Sequence, residues 1–253
     1  MMTSHYTHVE LISPHHPAYR DNNRRYKRIS IDSRPAKASD YFSSNYGAAL
    51  LRWELAVQRL LNKLVLESED RILRYYEGQP CFRYREIDFI AQPTQDQLIF
   101  CEIKLKETFR TDLKQKSSGW KQLNKSLSIV NTKFSDICGL AICIDMSHIY
   151  GLDTKAKPED YCSIADLAQY LSTPSDQQTT LWLSSLEMAG IAIQHGLLTQ
   201  EDVDEMSVLF REYKDPWSVL DNQSYIPNNV FACLGSFEIE VPSKHQASHA
   251  SPC

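Results

Sequence analysis

Between about Ser44 and Leu66 apolar residues recur at helical spacing: Leu50, Leu51, Leu55, Val57, Leu60, Leu61, Leu64 and Val65 make one broad face. No Pro or Gly interrupts this run after Gly47, and Glu54 lies in its middle beside Trp53. The period then changes. Arg71–Tyr76 predicts a short strand and Glu77-Gly78-Gln79-Pro80 a turn. Phe82–Ala91 predicts a second strand, Gln92-Pro93-Thr94-Gln95-Asp96 a hairpin loop, and Leu98–Lys106 the returning strand. In that strand Ile99, Cys101, Ile103 and Leu105 alternate with a face that includes Glu102, Lys104 and Lys106. After a polar loop at 107–117, Gly119–Val130 is helical, with Trp120, Leu123, Leu127 and Val130 along one side. Ile137–Ile144 is a dense apolar run that predicts a central strand. The order helix, strand, strand, strand, helix, strand predicts an α/β fold with a mixed central sheet flanked by helices.

The flanks differ from this core. Residues 1–43 have little periodicity and carry Arg20, Arg24, Arg25, Lys27 and Arg28, so they predict a flexible basic arm with one short strand at Tyr26–Ile31. The core spans 44–149. Residues 150–242 predict an acidic, mainly helical extension. One helix starts at Ser163 with Asp166 behind it, one spans Leu181–His195 and ends at Gly196, and one starts at Thr199 with Asp202 behind it. Val230–Val241 predicts a last strand, and 243–253 a frayed polar tail.

Charge sharpens this division. Residues 1–133 hold 22 Lys/Arg against 15 Asp/Glu, whereas 134–253 hold 5 against 17. The first half suits a polyanion, and the second suits a protein partner better than phosphate. The acids Glu187, Glu201, Asp202, Asp204 and Glu205 argue against a DNA-reading helix pair over 181–213. No run approaches the ~20 apolar residues that span a bilayer, and no secretory signal is visible, so no membrane partner is expected. Seven cysteines without a CxxC pair predict reduced, mostly buried thiols and a cytoplasmic protein. No phosphate-cradling glycine motif occurs, which leaves nucleotide-driven chemistry without support.

The chemistry concentrates in Arg85-Glu86-Ile87-Asp88-Phe89-Ile90 and Glu102-Ile103-Lys104. A hairpin joining the two strands brings Asp88 near Glu102. Glu102 and Lys104 are two residues apart, so both point to one sheet face, about 6.6 Å apart along the strand. Two carboxylates and one ammonium then share a face, and oxygen ligands of this kind suit Mg²⁺ or Mn²⁺. Seven Lys/Arg against two acids between Lys104 and Lys125 make Lys106, Lys114, Lys116, Lys121 and Lys125 candidates for phosphate contact.

This arrangement resembles the PD-(D/E)XK nuclease superfamily, which includes restriction endonucleases and Holliday junction resolvases, over roughly residues 46–146. Asp88 matches the family's first acid and Glu102-Ile103-Lys104 its acid-x-Lys. Glu54 matches the glutamate that many members carry on the first helix, and Gln122 the polar residue that some carry on the helix after the lysine. The residue before Asp88 is Ile87 where the motif has Pro. The resemblance implies a metal-dependent endonuclease acting on DNA, in defence, repair or mobile-element processing. It implies a metal on Asp88, Glu102 and the Ile103 carbonyl. Lys104 would orient the attacking water or stabilise the transition state. Glu54 would hold a second metal or fix the waters of the first. Two alternatives stay open: an RNA-cleaving enzyme of the same fold, and an inactive nuclease-like scaffold that binds a protein through 150–242.

Overall fold

A computed structural model of the chain describes residues 6–31, 38–65, 68–78, 81–111, 119–174 and 178–214. In chain order the elements are β1 (Tyr6–Ile12), α1 (Pro17–Ile31), α2 (Ala38–Leu64), β2 (Ile72–Glu77), β3 (Arg83–Glu86), β4 (Phe89–Ala91) and β5 (Gln97–Lys106). They continue with α3 (Trp120–Val130), β6 (Asp136–Asp145), α4 (Ser147–Tyr150), α5 (Ile164–Ser172), β7 (Gln178–Ser184), α6 (Ser185–Gln194) and α7 (Gln200–Lys214). The fold is α/β, with two sheets where the sequence predicts one. An antiparallel sheet has the order β1-β2-β3. A mixed sheet has the order β4-β5-β6-β7, antiparallel at β4–β5 and parallel beyond.

The predicted strand 82–91 breaks at Ile87–Asp88. The Ile87 amide donates to the Arg71 carbonyl at 3.1 Å, so the chain is still joined to β2 there. One residue later the Asp88 carboxylate, not its backbone, takes the Ile103 amide at 2.8 Å, and Phe89 then pairs with Cys101. A side chain thus replaces one rung of the ladder, and the strand passes from one sheet to the other.

The alternation in β5 sorts its faces. Ile99, Cys101 and Ile103 join Leu140, Ile142 and Ile144 of β6 in the larger core, under Trp53, Val57, Leu60 and Leu61 of α2 and residues of α5, α6 and α7. Leu98 and Phe100 face the other way, against Leu123 and Leu127 of α3 and Leu73 and Tyr75 of β2. Gly139 lets α3 approach β6: a Cβ there would lie 2.8 Å from Leu127 Cδ1. Cys101, Cys138 and Cys143 are free and buried. Among the described residues no helix is long and apolar enough to cross a membrane.

Two flanking expectations are corrected. Residues 6–31 form β1 and α1 instead of a loose arm, and the strand expected at Tyr26–Ile31 lies within α1. Pro17 opens that helix, where its fixed φ and missing N–H cost nothing. In the C-terminal half, Leu181–Ser184 belongs to β7, and the helix expected from Leu181 begins at Ser185. The extension therefore completes the mixed sheet. Its caps match the pattern: Ser163 Oγ accepts from the Asp166 amide, and Thr199 and Asp202 cap each other. Arg52 of α2 pairs with Asp202 at 2.6 Å and Glu205 at 2.7 Å, so part of the acidic charge closes α7 onto α2. The strand expected at 230–241 and the tail lie outside the described residues.

Tyr19 fixes α1 to the antiparallel sheet. It is buried with Ile12 and Ile72, and its hydroxyl donates to Glu86 at 3.0 Å. Tyr19→Ala is expected to lower stability by about 3 kcal/mol in urea unfolding. A loss below about 0.5 kcal/mol would mean that this segment does not pack as described.

Candidate active site

The candidate site lies where β5 runs beyond the cover of α3. Leu98 and Phe100 are roofed by that helix, but the next two residues on the same face are Glu102 and Lys104. Beside them in β6 are Ala141 and Cys143, and beside those in β7 are Thr180 and Trp182. The helix begins over the acid. Gly119, its N-cap, has φ 86°, and a Cβ there would lie 2.6 Å from Glu102 Cγ and 3.3 Å from Lys104 Cε. Only glycine fits both the backbone conformation and the contact. The helix start also carries partial positive charge, which favours a nearby carboxylate.

Glu102 is only 6% exposed. Its Oε1 accepts from Lys104 Nζ at 2.5 Å. Asp88 approaches from the β4 edge, with Oδ2 on the Ile103 amide. The N–H and C=O of a strand residue face the same neighbour, so the Ile103 carbonyl shares that edge. Glu54 comes from α2 and makes no hydrogen bond among the described residues, yet it feels the other three groups. Burial first, then the fields of Asp88 and Glu102, push its carboxyl up against the pull of Lys104. Burial likewise raises Asp88, opposed by the Ile103 amide and Lys104. Burial and Asp88 raise Glu102, opposed by Lys104. For Lys104 burial works against the charge, but Glu102, Asp88 and Glu54 together outweigh it and hold the ammonium above its ordinary value.

Three carboxyl groups thus meet one ammonium in a half-buried place. Asp88 Oδ1 and Glu102 Oε2 have no hydrogen-bond partner among the described residues. Carboxylate oxygens beside a main-chain carbonyl are the donor type that suits a hard divalent cation. The ligands are not gathered in advance: among the described residues no three His, Cys, Asp or Glu side chains form a group that could hold a metal.

The other expected residues divide. Gln122 is on α3, but its side chain is exposed, and its carbonyl accepts from Arg85 at 2.8 Å and from Ser126 at 3.1 Å. It does not join the acid cluster. Lys106 continues the face of Glu102 and Lys104, and burial followed by the like charge of Lys104 pushes it down. Lys121 is exposed at the start of α3. Lys125 pairs with Glu77 at 3.5 Å. Lys114 and Lys116 lie outside the described residues.

Two arginines join the site unexpectedly. Arg71 donates to the Asp88 carbonyl at 3.3 Å and to Gln58 at 3.1 Å, and its field lowers Asp88. Arg85 donates to Ser126 at 2.6 Å, and its field lowers Glu102. Their partners come from distant segments, so no local spacing in the sequence marks them. No family model, curated protein or solved structure matches the chain.

Because Glu54, Asp88 and Glu102 are all raised, the folded chain holds their protons more tightly than the unfolded chain. Their contribution is fully present below the ordinary carboxylate range, about pH 4, and is lost as pH rises through the raised values. Thermal melting in EDTA is expected to show this fall, with a shallower pH slope in Glu54→Gln. An identical slope in that variant would remove Glu54 from the cluster.

Proposed function

We propose that this chain is a metal-dependent nuclease of the PD-(D/E)XK type that hydrolyses phosphodiester bonds in nucleic acid, DNA foremost. The observation that carries the reading is that Asp88, Glu102 and Glu54 all lie within electrostatic reach of Lys104 on β5, with Lys104 hydrogen-bonded to Glu102 and Asp88 on the Ile103 amide. Mg²⁺ or Mn²⁺ would be held by Asp88, Glu102 and the Ile103 carbonyl, with Glu54 beside them. Such an ion, when bound, supplies a Lewis acid for the phosphate and lowers the pKa of a bound water.

The chain's own groups do the rest. The Ile103 amide fixes one Asp88 oxygen and leaves the other directed to the cation or to water. Glu102 holds the Lys104 ammonium in place and keeps it charged. Lys104 then donates to a phosphate oxygen, where negative charge grows in the transition state. Glu54, raised by burial, takes or returns a proton at the edge of the cluster. Exposed Lys121 and the half-buried Lys106 supply positive charge for the flanking phosphates.

A plasmid-nicking assay with Mg²⁺, Mn²⁺ or EDTA tests this reading. Cleavage is expected with either metal and not with EDTA. Lys104→Gln, which keeps a donor for Glu102, is expected to cleave at least about 100-fold more slowly with its melting temperature nearly unchanged. Equal rates for the variant and the natural chain, or no cleavage of either plasmid or single-stranded oligonucleotide by folded protein with either metal, would overturn the proposal.

A further inference from the structure

We propose that the groove between α1 and the β2–β3 hairpin seats one unpaired nucleotide of the substrate strand, which makes nucleic acid with a single-stranded segment the preferred substrate. This inference rests on the nuclease reading above and adds a substrate class to it. Helix α1 turns Tyr19, Asn22 and Arg25 to the groove at three-residue spacing. Across from it, Phe82, Tyr84 and Glu86 come at two-residue spacing. The cavity they line has a volume of about 930 Å³, large enough for a nucleotide.

The walls divide the work. Phe82 is already stacked, with Tyr76 at 4.0 Å and the Arg74 guanidinium 3.5 Å from its ring centre, so it is a fixed wall. Tyr84 is half-buried: it packs against Ile12, Tyr19 and Ile72 and meets the Tyr19 ring in a tilted contact at 5.9 Å and 48°. Its ring is the platform for a base. Asn22 and Arg25 make no side-chain hydrogen bond or ion pair among the described residues. An amide offers a donor and an acceptor to a base edge, and an arginine fork matches a phosphate. Two acids line the groove, and each has a cationic neighbour: Glu86 accepts from Tyr19 at 3.0 Å and pairs with Arg71 at 3.4 Å, and Asp21 pairs with Arg24 at 3.7 Å.

Position links this groove to the acid cluster. Glu86 stands two residues before Asp88, and Arg71 bridges the Glu86 carboxylate and the Asp88 carbonyl. A base held on Tyr84 therefore directs the adjoining phosphate toward Asp88. A base paired within a duplex is stacked between its neighbours and cannot lay its face on the Tyr84 ring between α1 and β3 without leaving the helix.

Fluorescence anisotropy on the full chain in EDTA tests this, with a labelled single-stranded oligonucleotide and a blunt duplex of the same sequence. The single strand is expected to bind at least tenfold tighter than the duplex. Tyr84→Leu is expected to lose about tenfold on the single strand and nothing on the duplex, while Tyr84→Phe keeps the affinity. Arg25→Ala, at an exposed position, is expected to weaken single-strand binding and reduce its salt dependence by about one ion. It keeps the test decisive if Tyr84→Leu does not fold. Unchanged binding in both Tyr84→Leu and Arg25→Ala, or a preference for duplex, would overturn the groove assignment. So would displacement of the oligonucleotide by an equal concentration of free nucleoside monophosphate, which would mark a site for free nucleotides. If plasmid nicking by the natural chain persists through any of these outcomes, the groove falls and the nuclease reading stands. If the natural chain neither binds nor nicks, both fall.

Discussion

The hydrogen bond from the Ile103 amide to the Asp88 carboxylate is the joint on which the rest of the structure depends. It sits where the chain leaves the β1-β2-β3 sheet and enters the mixed sheet, and it takes the place of a backbone rung. A backbone amide left unpaired at a buried edge is costly, so some acceptor must fill that position. A carboxylate fills it and brings a charge with it. The same bond that joins the sheets therefore sets an acid against the edge of β5, two rungs past the end of β4. The price is a half-buried carboxylate, and everything around it answers that charge: Lys104, the Arg71 guanidinium on the Asp88 carbonyl, and the start of α3.

Those answers fall short. Burial raises all three carboxyls despite Lys104 between them. A structural ion pair would be better served by equal numbers of charges or by apolar replacements. The site proposed to hold a cation and a phosphate calls for a different balance, several carboxyl groups beside one fixed ammonium. Gly119 and Ala141 place no side-chain bulk beyond Cβ against Glu102, whereas the same sheet face is filled by Phe100 and Leu98 one turn of α3 further on.

The centre of this arrangement was legible in the sequence because apolar and polar residues alternate from Cys101 to Lys106 in β5. Ile99, Cys101 and Ile103 against Glu102 and Lys104 determine which groups share a face, and the hairpin loop at 92–96 brings Asp88 to them. The break at Ile87–Asp88 was not legible, since a side chain standing in for a rung leaves no trace in hydrophobic pattern. In β1 a bulge between Thr7 and Glu10, with His8 at φ 51°, interrupts the alternation that would have marked a strand. Helix α1 buries Tyr19 as its one core aromatic among the described side chains, so its composition resembles a solvated arm. In β7, Leu181 and Leu183 continue into the apolar positions of α6 without a breaker, and helical spacing absorbs them. Arg71 and Arg85 reach the site through contacts across the fold, and Gln122 shows the reverse: a plausible position on α3 whose side chain points to solvent.

Binding of Mn²⁺ to the full chain, followed by calorimetry or by electron paramagnetic resonance, tests the central claim most directly. Asp88, Glu102 and the Ile103 carbonyl predict a site whose affinity falls at least tenfold in Asp88→Asn and is unchanged in Glu69→Gln, an exposed acid away from the cluster. Equal binding in the natural chain and Asp88→Asn, or no binding at all, would contradict the account.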